Sequence, residues 1–372
     1  MKKNIVVIEG DGIGPEVTRQ AVKVLNSIAE CFHHEFEYRY CQMGAVAIDK
    51  TGNPLPDETV ELALESDAIL FGAIGHPKYD NDPTAKVRPE QGLLKLRKSL
   101  HLFANIRPIS TYPSLHHLSP LKTKNIEGVD FIIYRELTGG IYFGKKETST
   151  DQQSAFDECS YTKEEIERIA HLAFKQASIR RKKLTLVDKA NVLETSRLWR
   201  KVVQEIAKGY PTVSLDFLFV DNAAMQIIVN PKQFDVILTE NMFGDILSDE
   251  ASVISGSLGL LPSASVGKGP ALFEPIHGSY PQAAGKDIAN PLGSVLSAAM
   301  MLDHFELHKE AELVREAVEW TLINGFVTKD IDPVNFYFTT TIGELISDYL
   351  VGKISGSELN QENIALRKST II

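Results

Sequence analysis

The chain has 372 residues, of which 43% are hydrophobic and 24% charged, an ordinary globular composition with length for about two domains. Its formal net charge of −10 excludes a general affinity for nucleic acid or an anionic membrane, and no run approaches the roughly 18 apolar residues of a membrane span. Cys31, Cys41 and Cys159 have no metal spacing and cannot all pair, and the start reads as a strand rather than a signal segment, so a cytoplasmic protein is expected.

Ile5-Val6-Val7-Ile8 predicts a strand, 9–16 a glycine turn and 15–31 a helix, with Pro15 suited to its first turn. Glycines there let the backbone approach a ligand at a helix N-terminus. The spacing is G-x-G-x-G rather than G-x-G-x-x-G, and no acidic residue closes a second strand about 20 residues on, so this is not a Rossmann unit. Residues 67–75 predict a buried strand ending in glycines, and the polar loop 76–89 after it is a candidate lid. In the helix at 90–98, Glu90, Leu93, Leu94 and Arg97 fall at i, i+3, i+4 and i+7 and share a face. An extended segment then ends at Arg107, before Pro108. Strand 129–135 delivers Arg135, a turn on paired glycines carries Tyr142, and the polar stretch to residue 161 is irregular, either a projecting arm or a mobile loop.

Three strand–helix units follow. Strand 184–187 leads to Asp188-Lys189-Ala190-Asn191 and a helix containing Trp199; strand 215–220 leads to Asp221-Asn222 and a helix; strand 234–238 leads to a helix from Asn241. This alternation is α/β architecture, in which ligands sit beyond the carboxyl ends of the strands, where Arg135, Lys189, Asp221 and Asp245 fall. Asp245 and Asp249 lie four residues apart on one helix face. Like charges at that spacing cost about 0.2–0.5 kcal/mol, so something outside the helix compensates them; a hard divalent cation is the simplest compensator, and a solvated acidic face is the alternative. A small-residue loop at 256–262, a strand at 271–274, a glycine-bearing ligand loop at 277–291 and helices at 292–304, 310–323 and 339–350 complete the chain. Singly, the arginines read as surface ion-pair formers, Lys189 as an exposed lysine and Tyr142 as a packed aromatic. Jointly, three arginines suit a substrate with more than one carboxylate, three aspartates a metal that a hydroxy acid also chelates, and Lys189 with Tyr142 a proton-transfer pair, while the 277–290 loop offers a place for a nucleotide.

The motifs G-D-G-I-G-P-E at 10–16, E-x-x-L-L-x-x-R at 90–97, Y-R-E-L-T-G-G-I-Y at 134–142, D-K-A-N at 188–191, N-M-F-G-D-I-L-S-D at 241–249, E-P-I-H-G-S at 274–279 and I-A-N-P at 288–291 resemble the metal-dependent β-decarboxylating dehydrogenases, in order across almost the full length. The resemblance implies a two-domain α/β fold of the isocitrate/isopropylmalate dehydrogenase type, not Rossmann. Residues 1–103 and 256–372 would form a first domain with most cofactor contacts, and 104–255 a second domain for dimerisation, metal and substrate. It implies a homodimer in which the arm near 143–160 and helices of the second domain pair across the two-fold, and in which Lys189 and Asp221 reach the partner's site.

By the same resemblance, Arg97, Arg107, Arg135, Glu90, Leu93, Leu94 and Asp221 contact substrate, and Asp221, Asp245 and Asp249 hold Mg²⁺ or Mn²⁺. Ile13, Glu90, Glu274, His277, Gly278, Ser279, Gln282, Ala283, Gly285 and Asn290 contact NAD. Lys189 takes the proton of the 2-hydroxyl as hydride leaves, Asp221 assists, and Tyr142 protonates the enolate left by loss of CO₂. Leu93 and Leu94 offer an apolar wall for an isopropyl group, which favours an isopropyl-bearing malate over isocitrate, homoisocitrate or tartrate; relatives that bind isocitrate resemble one another in serine and asparagine on that helix. Gln282 departs from the pattern, since NAD-dependent relatives usually have aspartate there and NADP-dependent ones Lys-Tyr. NAD with weakened discrimination is therefore expected, with Lys286 as a compensating cation.

Overall fold

The computed structural model describes residues 1–82 and 85–355. The chain divides into two compact units, the first made of residues 1–100, 257–264 and 268 onward, the second of residues 101–256 and 265–267. The sequence-based boundaries at 103/104 and 255/256 differ from this by up to three residues. Ser265–Gly267 falls in the second unit, where Asn105 Nδ2 donates to Ser265 Oγ at 3.2 Å. The 356–372 end of the expected first domain lies outside the described residues, as does part of the candidate lid, 83–84.

The first unit starts with β1 (Lys2–Gly10), whose Ile5, Val6, Val7 and Ile8 are buried. After it come α1 (Gly14–Phe32), β2 (Glu35–Cys41), α2 (Ala45–Thr51), α3 (Asp57–Glu65), β3 (Ala68–Ala73), α4 (Pro77–Asp80) and α5 (Pro89–Ser99). Strand β1 runs parallel to β2 on one side and to β3 on the other. The α1 row Val17, Ala21, Val24, Leu25 and Ile28 is fully buried, as a 3.6-residue apolar period requires. Gly10 adopts φ +73°, and a Cβ there would lie 1.9 Å from the Ala73 carbonyl oxygen, so only glycine closes this turn beside β3.

The second unit contains β4 (Leu102–Ser110), α6 (Thr123–Ile126), β5 (Asp130–Glu136), β6 (Lys146–Thr148), β7 (Ala155–Asp157), α7 (Lys163–Ile179), β8 (Lys183–Asp188), α8 (Glu194–Ala207), β9 (Ser214–Phe219), α9 (Val220–Val229), β10 (Val236–Thr239) and α10 (Asn241–Ser252). Its strand order is β4-β5-β10-β8-β9, antiparallel for β4 with β5 and parallel for the rest. The first unit is then completed by the first half of β11 (Pro262–Gly267), by β12 (Ala271–Pro275), and by α11 (Leu292–His304), α12 (His308–Ile323) and α13 (Thr339–Ser355). Its strand order, β2-β1-β3-β12-β11, is not the 3-2-1-4-5-6 order of a dinucleotide-binding Rossmann sheet.

Four sequence expectations are corrected. The extended segment does not end at Arg107: β4 continues to Ser110 with Pro108 opposite Ile132, because proline keeps the residue before it extended and pairing with β5 carries the strand past it. The stretch after Tyr142 is not irregular throughout, since β6 and β7 form an antiparallel hairpin of six exposed residues, too polar to register as strands. Pro262–Gly267 is a strand rather than a continuing loop. Asp221 lies inside the first turn of α9 rather than before it, where a carboxylate meets the positive end of the helix dipole.

The core of the second unit closes around Trp199, fully buried with Phe174, Leu184, Leu186, Val203, Val236 and Leu238 and meeting Tyr161 edge-on at 5.4 Å between centroids. Replacing Trp199 with alanine is expected to destabilise this unit by about 3–5 kcal/mol. Urea unfolding followed by circular dichroism measures it, and a loss under about 1 kcal/mol would contradict this packing.

Candidate active site

In the second unit β5, β10, β8 and β9 run in one direction, so their carboxyl ends bring functional side chains to one side. Arg135 leaves the end of β5 with its side chain 6% exposed. It donates from Nε (3.1 Å) and Nη2 (2.9 Å) to Asn241 Oδ1, and from Nη1 to Asp245 Oδ1. Arg107, on β4, donates from Nε to Asn105 Oδ1 at 2.7 Å and from Nη1 to Ser248 Oγ at 2.7 Å and Asp249 Oδ1 at 3.2 Å. Within the chain, then, Asp245 and Asp249 are compensated by two guanidiniums. Tyr142 Oη donates to Asp245 Oδ2 at 2.9 Å. Burial first, and the Asp245 bond next, push the Tyr142 hydroxyl above its ordinary pKa, which keeps its proton in place.

Lys189 follows β8 and Asp221 opens α9, and Lys189 Nζ donates to Asp221 Oδ1. That bond is the main cause holding the exposed Asp221 carboxyl below the usual carboxylate range. The Lys189 backbone N–H donates to Ser196 Oγ at 3.1 Å, and Ser196 in turn donates to Glu240 Oε1 at 2.5 Å. Glu240, between β10 and α10, is 4% exposed. Burial pushes its carboxyl up to about 7; the Ser196 bond opposes this and the charge of Asp188 adds to it. Asp188 is itself buried and gripped by Arg200 through Nε and Nη2, both at 2.8 Å.

Among the described residues no three histidine, cysteine or acidic side chains come together to hold a metal. The expected Asp221, Asp245 and Asp249 set is therefore not assembled within one chain, because Asp221 is paired with Lys189 instead. The donor chemistry does fit a hard divalent cation: Asp245 and Asp249 share a face of α10 and offer carboxylate oxygens that are part-exposed, so a single chain supplies two donors of the right kind.

In the first unit the glycine turn and the loop after β12 form one substructure. The Ile13 N–H donates to the Ser279 carbonyl at 2.8 Å. Glu16, in the first turn of α1, accepts from the N–H of Gly285 and from that of Asp287 at 3.1 Å. Ile13, Val17, Ala283 and Ala289 seal the join as a small apolar cluster. Ser279 and Asn290 are buried, and Asn290 accepts from the Leu292 N–H at 3.0 Å while donating to Asp330 Oδ2 at 3.1 Å. Gly278, Gln282, Gly285 and Lys286 are exposed. Burial pushes the His277 pKa down, and its Nε2 is sealed from solvent without a protein partner. A neutral imidazole nitrogen orphaned in this way fits a ligand with hydrogen-bonding edges, such as a nucleotide base.

The E-x-x-L-L-x-x-R face of α5 separates in the fold. Leu93 turns inward at 9% exposure while Leu94 stays 37% exposed, and Glu90 is exposed in the first turn. Arg97 donates from Nη2 to Glu274 Oε1 at 2.7 Å, both side chains largely buried, so the residue expected to grip substrate and one expected at the cofactor are partners. Sequence reasoning assigned no role to Asn105, Ser196, Glu240, Asn241 or Asp330. For Asn105, a lone amide in the apolar run Leu102-Phe103-Ala104 was an available signal; for Ser196 and Asp330 there was none.

The profile of the isocitrate/isopropylmalate dehydrogenase family matches residues 4–346. A Bacteroides fragilis (strain YCH46) protein named 3-isopropylmalate dehydrogenase is 54% identical over 94% of this chain and 99% of its own length. One of the same name from Bacillus subtilis (strain 168) is 54% identical over 89% of this chain and 92% of its own. Among solved structures, isocitrate dehydrogenase from Methylococcus capsulatus superposes with a TM-score of 0.84 at 34% identity, covering 94% of this chain and 99% of that one. A β-decarboxylating dehydrogenase from Thermococcus kodakarensis gives 0.79 at 37%, covering 95% and 97%.

Glu240 makes stability depend on pH with a defined sign. Its pKa rises from 4.5 to about 7 on folding, so the folded chain holds the proton more tightly than the unfolded one. That stabilisation is complete below about pH 4.5 and is lost as pH rises through about 7. Glu240→Gln should remove this component, so that wild type loses about 1–3 kcal/mol relative to the variant between pH 5 and 8. Urea midpoints across that range measure it, and parallel curves would contradict it.

Proposed function

Because the chain belongs to the isocitrate/isopropylmalate dehydrogenase family, we propose that it catalyses the oxidative decarboxylation of (2R,3S)-3-isopropylmalate to 4-methyl-2-oxopentanoate and CO₂ with reduction of NAD, in leucine biosynthesis. The observation that carries the reading is the near-full-length likeness to relatives bearing that enzyme's name. The side chains agree with it. Arg97, Arg107 and Arg135 bind the two carboxylates and the hydroxyl of the malate, since guanidinium forks match carboxylates. Leu94, exposed between Glu90 and Arg97 on α5, meets the isopropyl group together with the edge of Leu93.

Lys189, as the neutral amine left once its ammonium has passed a proton to solvent by way of Asp221 at its Nζ, accepts the proton of the 2-hydroxyl as hydride leaves C2. Tyr142, whose hydroxyl keeps its proton at neutral pH, delivers it to the carbon that has lost CO₂. A divalent cation, Mg²⁺ or Mn²⁺, supplies positive charge beside the developing enolate when held by Asp245, Asp249 and the Asp221 of a second copy. Ile13, Glu274, His277, Ser279, Ala283 and Asn290 would hold NAD, whose nicotinamide would supply the hydride acceptor.

A homodimer in which Lys189 and Asp221 serve the other copy's site is supported by two observations. Among the described residues no third metal donor of the same chain joins Asp245 and Asp249, and α9 and α10, which pack on each other, expose Met225 and Val229 on one and Ile246 on the other. At the cofactor, Gln282 offers no carboxylate for the ribose hydroxyls and no cation for a 2′-phosphate, which supports NAD with weakened discrimination.

NAD⁺ reduction by the purified protein is expected with 3-isopropylmalate and Mg²⁺, abolished by EDTA and slow with isocitrate and tartrate. Faster turnover of isocitrate or tartrate would reject the substrate, and equal kcat/KM for NAD and NADP would reject the cofactor preference. Lys189→Met and Tyr142→Phe should each lower kcat by about 10²–10⁴-fold.

A further inference from the structure

Asn241 has no part in the chemistry above, yet much of the second unit's polar network converges on it. It is the first residue of α10 and is 1% exposed. Its backbone N–H donates to Tyr161 Oη at 3.0 Å. Its Oδ1 accepts two bonds from one edge of the Arg135 guanidinium, at 3.1 and 2.9 Å, and its Nδ2 donates to the Gly139 carbonyl at 3.1 Å. A guanidinium only donates and a carbonyl only accepts, so the amide has a single orientation that satisfies both. Nor is this amide capping its own helix, because α10 has no side-chain cap and both ends of the Asn241 amide are directed elsewhere.

Gly139 leads into the turn Gly140–Tyr142. That turn is anchored from other directions as well. The fully buried Glu136 carboxylate accepts from the N–H groups of Thr138 and Gly139, the latter at 2.7 Å. Gly140, at φ +73°, has the Tyr161 hydroxyl where a Cβ would come within 2.2 Å. One turn further along α10, Asp245 accepts Arg135 on Oδ1 and Tyr142 on Oδ2. Asn241 and Asp245, at i and i+4, thus present two fixed points about 6 Å apart on one helix face, and hydrogen bonds link Asn241 to Arg135, Arg135 to Asp245, Asp245 to Tyr142 and Gly139 to Asn241, the chain of the turn from Gly139 to Tyr142 closing the ring.

We propose that Asn241 is a positioning residue that couples the carboxylate-binding guanidinium of Arg135 to the proton-donating hydroxyl of Tyr142, holding both in register through one amide. The inference rests on the roles given to Arg135 and Tyr142 under the proposed function. The two ends of the amide act on different steps: the oxygen aims the group that grips substrate, and the nitrogen holds the turn that delivers the proton.

Asn241→Asp tests this, because it keeps an acceptor for Arg135 and sets a carboxylate oxygen against the Gly139 carbonyl. The expected result is a KM for 3-isopropylmalate within about threefold of wild type, a kcat lower by roughly 10–100-fold, and a larger solvent deuterium isotope effect on kcat as proton delivery becomes limiting. Asn241→Ala, which removes both ends, should raise KM as well. Unchanged kinetics in Asn241→Asp, or a lower kcat with the wild-type isotope effect, would overturn the proposal. Failure of both variants to fold would make Asn241 a residue of the fold alone and overturn it too. Absence of turnover in the wild type would bring down the proposed function and this inference together, whereas an active wild type with no such split in Asn241→Asp would remove only the inference.

Discussion

A guanidinium taken out of water must find acceptors in the protein, and the second unit buries two of them, Arg107 and Arg135. One face of α10 answers much of that demand. Asn241, Asp245, Ser248 and Asp249 lie along it at helical spacing, and each accepts from one of the arginines, while Phe243, Leu247 and Ala251 turn to the core. The helix is amphipathic in an unusual sense: its polar face meets buried cations as well as water. Two aspartates against two arginines balance in charge, so under the proposed function a dianionic hydroxy acid and a divalent cation, arriving together, exchange partners within a neutral arrangement instead of adding charge to it.

The spacing of Asp245 and Asp249 was legible, and so was the need for a compensator. Its identity within the chain was not, because Arg135 and Arg107 stand 110 and 142 positions away from the aspartates they meet and no local period records such a pairing. Strand β1 and helix α1 announced themselves through continuous and 3.6-period apolar runs. Strand β2 carries a weaker signal: Glu35-Phe36-Glu37-Tyr38-Arg39-Tyr40-Cys41 alternates polar and aromatic residues, yet even Phe36 and Tyr38 are only half-buried and no apolar run marks it. Pro108 and the polar hairpin of β6 and β7 misled for a related reason, since local composition argues against strand while pairing with a partner strand decides for it.

The glycine turn and the loop after β12 were each recognisable as ligand-type segments. That they are one substructure depended on Glu16, whose carboxylate takes two loop amides more than 260 positions later in the chain. Glu16 is an acidic residue in a first helical turn, but its partners belong to another segment rather than to its own helix. Asn241 is a similar case. An asparagine at a helix start suggests a cap, and only the positions of Arg135 and Gly139 redirect that expectation.

The first unit is assembled from separate stretches of chain, and α1 packs on α11 and α13, which follow the whole of the second unit in sequence. The second unit draws all but three of its residues from one stretch, 101–256. On a ribosome, where chains emerge from the N-terminal end and domains fold as units, β1, β3 and the apolar face of α1 leave the exit tunnel uncovered, and α1 waits through more than 150 residues for the helices that pack on it. The second unit has nearly everything it needs well before that. A stretch synthesised ahead of the second unit is thus enclosed after it, and the interval makes it the natural segment for a chaperone to hold.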